Sequence, residues 1–82
     1  MQPLDEKTKA VILGFQQNEI TEYHIYRALA RLARGEHNRN VLLRIAEEEL
    51  RHYHIWRGYS GKDVQPATLK QWLYIAVSAI CG

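Results

Sequence analysis

Between Asp5 and Arg34 the chain has no proline and one glycine, and Ile12, Phe15, Tyr23, Tyr26, Ala30 and Ala33 recur at intervals that fall on one helical face. This predicts a first long helix. Arg34-Gly35-Glu36-His37-Asn38 breaks the pattern, with Gly35 suited to a helix C-terminus and Asn38 or Asn40 to the cap of a new helix. So short a break predicts an antiparallel hairpin. Leu42, Ile45, Glu49, His52, Trp56 and Tyr59 then follow in alternating steps of three and four, the signature of a second helix, which Gly58, Ser60 and Gly61 end. Lys62 to Pro66 reads as a linker. Thr68-Leu69-Lys70-Gln71 carries the Thr-x-x-Gln capping-box pattern, so a third helix is expected from there to the end. The fold class expected is all-α, with an antiparallel helical hairpin over 1–61 and a linker plus apolar C-terminal helix over 62–82.

The segment from Trp72 to Cys81 carries no charge. It falls short of the ~20 apolar residues that cross a bilayer, so it reads as a core or interface helix, or as the start of a longer apolar run. With 82 residues the chain makes one domain at most, and chains this small often need a staple or a partner. Cys81 is the single cysteine and rules out a disulfide within the chain, which fits a reducing compartment. The net charge of +2, from 11 basic and 9 acidic residues, speaks against a nucleic-acid partner. Met1 to Lys7 lacks a secretory pattern, and a cytoplasmic location is expected.

Two acidic residues change the picture, because Glu19 and Glu49 stand in the apolar stripes where Leu or Ile would be ordinary. A buried glutamate is costly unless it is paired or metal-bound. Glu49-Leu50-Arg51-His52 places a carboxylate and an imidazole on adjacent turns of one face. A lone Glu-x-x-His more often marks a solvated face. Here a turn near Arg34 sets Glu19 level with Glu49, Phe15 with Tyr53 and Ile12 with Trp56, so that two glutamates and a histidine meet above an aromatic floor. Carboxylate-bridged two-metal bundles take one Glu from each of two helices and a Glu-x-x-His from each of the other two. This chain offers one helix of each kind, and a two-fold homodimer would supply the rest.

Glu19 and Glu49 from two chains match the charge of two divalent ions, which leaves Glu22 as a conditional ligand. Oxygen and imidazole donors suit iron or manganese, and zinc also fits. Tyr23 and Tyr26 are read as core residues able to hydrogen-bond a ligand carboxylate. Glu47 and Glu48 are read as solvated, Trp56 as packing, and His24, His37 and His54 receive no role.

Asn18-Glu19-Ile20-Thr21-Glu22-Tyr23-His24-Ile25-Tyr26 and Ile45-Ala46-Glu47-Glu48-Glu49-Leu50-Arg51-His52 resemble the two ligand helices of the rubrerythrin branch of the ferritin-like superfamily. The resemblance covers nearly the whole chain. It implies a ferritin-like four-helix bundle assembled between chains, with Glu19, Glu49 and His52 as catalytic metal ligands. It also implies two iron ions per homodimer or higher homo-oligomer, and oxidation of ferrous iron with dioxygen or peroxide. The second helix pair and the four-cysteine rubredoxin domain of rubrerythrins have no counterpart in this sequence. The half-length hairpin is similar to the encapsulated ferritins. It is also similar to the cytoplasmic rubrerythrin-like domain that precedes a membrane transporter of the vacuolar iron transporter type. The uncharged run favours the second comparison and implies a membrane segment or transporter domain beyond residue 82. Three other functions stand beside iron oxidation: a non-catalytic module that senses iron or manganese or delivers it to a transporter, a rubrerythrin-like peroxidase, and a purely structural helical hairpin that dimerises through its stripe.

Overall fold

The computed structural model describes residues 4–68 together with Leu73 and Val77. Among them the chain is all-helical, with helices α1 (Glu6–Leu32) and α2 (Glu36–Ser60) and no strand. The third helix expected from Thr68 onward lies outside the described residues, apart from Leu73 and Val77, which are exposed. No helix among the described residues is long and apolar enough to cross a membrane.

The start of α1 is fixed by Asp5, whose carboxylate accepts from the Thr8 backbone N–H at 2.7 Å, with Glu6 placed favourably in the first turn. Ala33 leaves the helix in an extended conformation, and its N–H bonds the Ala30 carbonyl. The turn differs from the expectation at one point. Gly35 does not close α1; it opens α2 as the N-cap, with φ 86° and ψ 145° and no side-chain cap. That backbone region is open to glycine and strained for other residues. Asn38 is already inside α2, and its amide donates back to the Arg34 carbonyl at 3.3 Å. At the far end Gly58 stays helical and Gly61, in the left-handed region at φ 71°, ends α2 by donating to the Arg57 carbonyl at 2.8 Å.

The seam between the helices is only partly apolar. Ile12, Ala30, Ala46 and Tyr53 are buried, and so are the polar Gln16, Thr21 and Ser60. These polar groups have a common task, since buried donors and acceptors must be paired. Residues 62–67, expected as a linker, lie as an extended strap against the hairpin. Gln16 Nε2 donates to the Lys62 carbonyl at 2.8 Å, and Ser60 Oγ accepts from the Lys62 N–H at 3.2 Å. The Tyr53 hydroxyl accepts from the Val64 N–H, and Thr21 Oγ1 accepts from the Ala67 N–H, both at 2.9 Å. Arg57 and Asp63 close the bend with an ion pair.

Gln17 and Thr21 lie on the opposite side of α1 from Glu19, at roughly 100° per residue. The strap therefore covers the back of the hairpin. On its front, Val11, Phe15 and Leu29 of α1 and Val41, Ile55 and Tyr59 of α2 are exposed.

Candidate metal centre

Glu19 and Glu22 stand one turn apart in the middle of α1, and Glu49 and His52 one turn apart in the middle of α2. The hairpin brings them together on the uncovered front. His52 Nδ1 lies 3.4 Å from Glu19 Oε2 and 3.9 Å from Glu49 Oε1. Glu19, Glu49 and His52 each offer a ligand atom within 4.8 Å of the other two. The side chains of Glu19 and Glu49 are 21% and 16% exposed and that of His52 is 43% exposed, so the imidazole marks the mouth of the cluster.

Electrostatics within the cluster show what it lacks. Burial first, and then a hydrogen bond and repulsion from Glu49, push the Glu22 carboxyl up from 4.5 to about 7, against a smaller lowering by His52. Burial also raises Glu49, opposed by its hydrogen bond with Glu22 and helped by its hydrogen bond and repulsion with Glu19. Glu22 therefore gives up its proton only near neutrality, with Glu49 beside it. Glu19 Oε2 is buried with no hydrogen-bond partner, because the approach of His52 has the distance of an ion pair without hydrogen-bond alignment. Three carboxylates with too few donors make a site short of positive charge.

An open pocket of about 340 Å³ adjoins the cluster, lined by Glu19, His52, Ile55 and Trp56. Phe15 and Trp56 meet with ring centroids 5.2 Å apart, and Trp56 and Tyr59 with centroids 6.2 Å apart. Trp56 is thus part of the site's wall. The register differs from the expected one. Phe15 meets Trp56 where Tyr53 was expected, and Tyr53 turns to the back, where its hydroxyl serves the strap. This offset also brings Glu22 onto Glu49.

None of the protein-family models, curated proteins or solved structures compared with the chain matches it. What the site can do rests on its own geometry. Two carboxylates and an imidazole are hard and borderline donors of the kind that hold iron, manganese or zinc. They come from both helices, Glu19 from α1 and Glu49 and His52 from α2.

The other expected residues divide clearly. The Tyr23 hydroxyl accepts from Arg27 Nη1 at 2.7 Å, with the guanidinium 5.6 Å from the Tyr23 ring centroid, so its observed partner is an arginine and not a ligand carboxylate. Tyr26 is half-buried and makes no side-chain hydrogen bond among the described residues. Glu47 is exposed, and Glu48 is exposed and paired with Arg51. His24, His37 and His54 are exposed too. The residues missed from sequence are Gln16, Thr21, Tyr53 and Ser60, which grip the strap. No pattern in the sequence marked Gln16 or Thr21 for this role.

Proposed function

We propose that this chain supplies half of a carboxylate-bridged two-metal centre of the ferritin-like kind, which a second copy completes, and that the centre binds ferrous iron and promotes its oxidation by dioxygen or peroxide. The observation that carries the reading is the convergence of Glu19, Glu49 and His52 to within 4.8 Å, with Glu22 beside them. The uncompensated negative charge of the cluster and the unpartnered Glu19 oxygen fit a divalent cation.

What surrounds the cluster supports the reading of a second copy. Val11, Phe15 and Leu29 flank it on α1, and Val41, Ile55 and Tyr59 flank it on α2, all at least 38% exposed. An apolar stripe of this length is a surface for association. Two chains meeting across it oppose their clusters and bring Glu19 and Glu49 twice, the charge that two divalent ions need.

In this reading Glu19, Glu49 and His52 hold the ions. Glu22, which gives up its proton only near neutral pH, would become a ligand when positive charge draws that proton away. Ile55 and Trp56 limit the access of water. Bound iron supplies the electrons that reduce the oxidant.

The test is an anaerobic ferrous titration of the chelator-treated protein, followed by admission of oxygen. Saturation at about one ion per chain followed by rapid oxidation is expected. Glu49→Ala removes both, whereas Glu48→Ala keeps both. Saturable binding without oxidation would favour metal delivery instead. Binding undiminished in Glu49→Ala would overturn the site.

A further inference from the structure

The small net charge of +2 conceals a division of charge along the hairpin. Residues 27–44, around the turn, hold five arginines and one glutamate, while the remaining described residues, 4–26 and 45–68, hold five basic and eight acidic side chains. The sequence balance therefore averages a basic tip with an acidic body.

The fold makes this a surface. Arg27 lies five residues before the end of α1 and Arg44 eight after the start of α2, so both stand within ~12 Å of the tip at 1.5 Å per residue. The screening length at physiological salt is ~8 Å, so Arg27, Arg31, Arg34 and Arg39 lie within reach of one another's charge at the tip and Arg44 lies at the margin. Arg27, Arg31, Arg34, Arg39 and Arg44 are all exposed, and none forms an ion pair within 4 Å among the described residues. Arg27 donates to the Tyr23 hydroxyl at 2.7 Å and feels the charge of Glu47 without pairing with it. Among them, between Arg31 and Arg34, Leu32 is 80% exposed, the most exposed large apolar side chain among the described residues.

We infer that the hairpin tip docks on an anionic membrane surface, with the arginines against lipid phosphates and carboxylates and Leu32 entering the acyl boundary. Charge complementarity supplies the attraction, since basic residues near an anionic leaflet act additively within a screening length. Leu32 selects a bilayer over a nucleic acid. An apolar side chain held out among arginines gains nothing against a phosphate backbone, but it is the usual companion of basic residues at a lipid interface. The acidic body is repelled by the same surface. The hairpin therefore stands on its tip, with Glu19, thirteen residues before Leu32, ~20 Å from it.

The inference does not depend on the metal centre and is tested without metal. The full chain is floated with vesicles of phosphatidylcholine alone and of equimolar phosphatidylcholine and phosphatidylserine, over a range of salt. Binding to the serine-containing vesicles, absent from the neutral ones and weakened by salt, is expected. Each arginine removed should weaken it roughly fivefold, so that Arg31→Gln with Arg34→Gln and Arg39→Gln loses about a hundredfold. The same three positions changed to Lys retain binding, and Leu32→Ser weakens it at every salt concentration. Circular dichroism checks that the variants stay helical. Binding that survives the triple Gln change is carried by another part of the chain and overturns the inference. Equal binding to neutral vesicles overturns it too, as does tighter, equally arginine-dependent binding to duplex DNA or RNA at the same salt.

Discussion

Raising the pH of the metal-free protein perturbs the candidate centre without any mutation. The Glu22 carboxyl sits at about 7 in the folded chain against an ordinary value of 4.5, chiefly through burial and then through Glu49. A raised folded value means that the folded state holds this proton more tightly than the unfolded one. Its contribution to stability is therefore whole below about pH 4.5 and is lost as the pH rises to about 7. A shift of this size corresponds to ~3 kcal/mol for a fully buried group. Glu22 is only half-buried, and solvent screening reduces the expected effect to ~1–2 kcal/mol. Glu49, also raised, adds in the same direction. The assay is urea unfolding of chelator-treated protein at fixed concentration between about pH 5 and pH 8. Stability should fall across this range, saturating divalent metal should abolish the fall, and Glu22→Gln should flatten it. A flat or rising profile, or a slope unchanged in Glu22→Gln, would refute the raised Glu22 carboxyl and with it the electrostatic reading of the cluster.

The remaining predictions concern single positions. Thr21→Val removes the acceptor of the Ala67 N–H and should cost ~1–2 kcal/mol in unfolding free energy and speed amide exchange at Ala67; unchanged exchange would mean that the hydroxyl does not hold the strap. Gly14→Ala places a methyl where nothing lies within 4 Å in the interior of α1, and should raise stability by ~0.5–1 kcal/mol in thermal unfolding. Gly61→Ala meets a left-handed backbone and should lower it by ~1 kcal/mol in the same assay. Glu19→Leu removes a buried carboxylate oxygen without a partner, so the metal-free protein should gain stability while metal binding, followed by calorimetry, disappears.

The hairpin was legible from sequence because each helix carries its apolar residues at steps of three and four over seven turns or so, a pattern no strand or loop sustains. Glu19, Glu49 and His52 were legible for the same reason in reverse, as ionisable groups at positions the pattern reserves for apolar ones, and the structure brings their ligand atoms together. Finer features escaped. A glycine beside a helix boundary serves either end, and Gly35 was read as a C-terminal residue although it opens α2. The strap has no periodicity, so only the buried side chains that grip it betray its place. The side-by-side register of two helices follows from packing, which is why Trp56, not Tyr53, meets Phe15, and why Glu22 sits against Glu49. The arginine tip was hidden by a net charge that sums over both ends of the hairpin.

The central claim, a metal centre with half its ligands in each of two chains, is tested most directly by native mass spectrometry of the protein before and after anaerobic loading with ferrous iron. Association and loading should be linked, since the ligands of one chain leave coordination positions that the other fills. The account predicts that metal-loaded species contain pairs of chains carrying two ions per pair, and that Glu49→Ala yields no loaded pairs. A single chain that holds iron as tightly as the pair would contradict it.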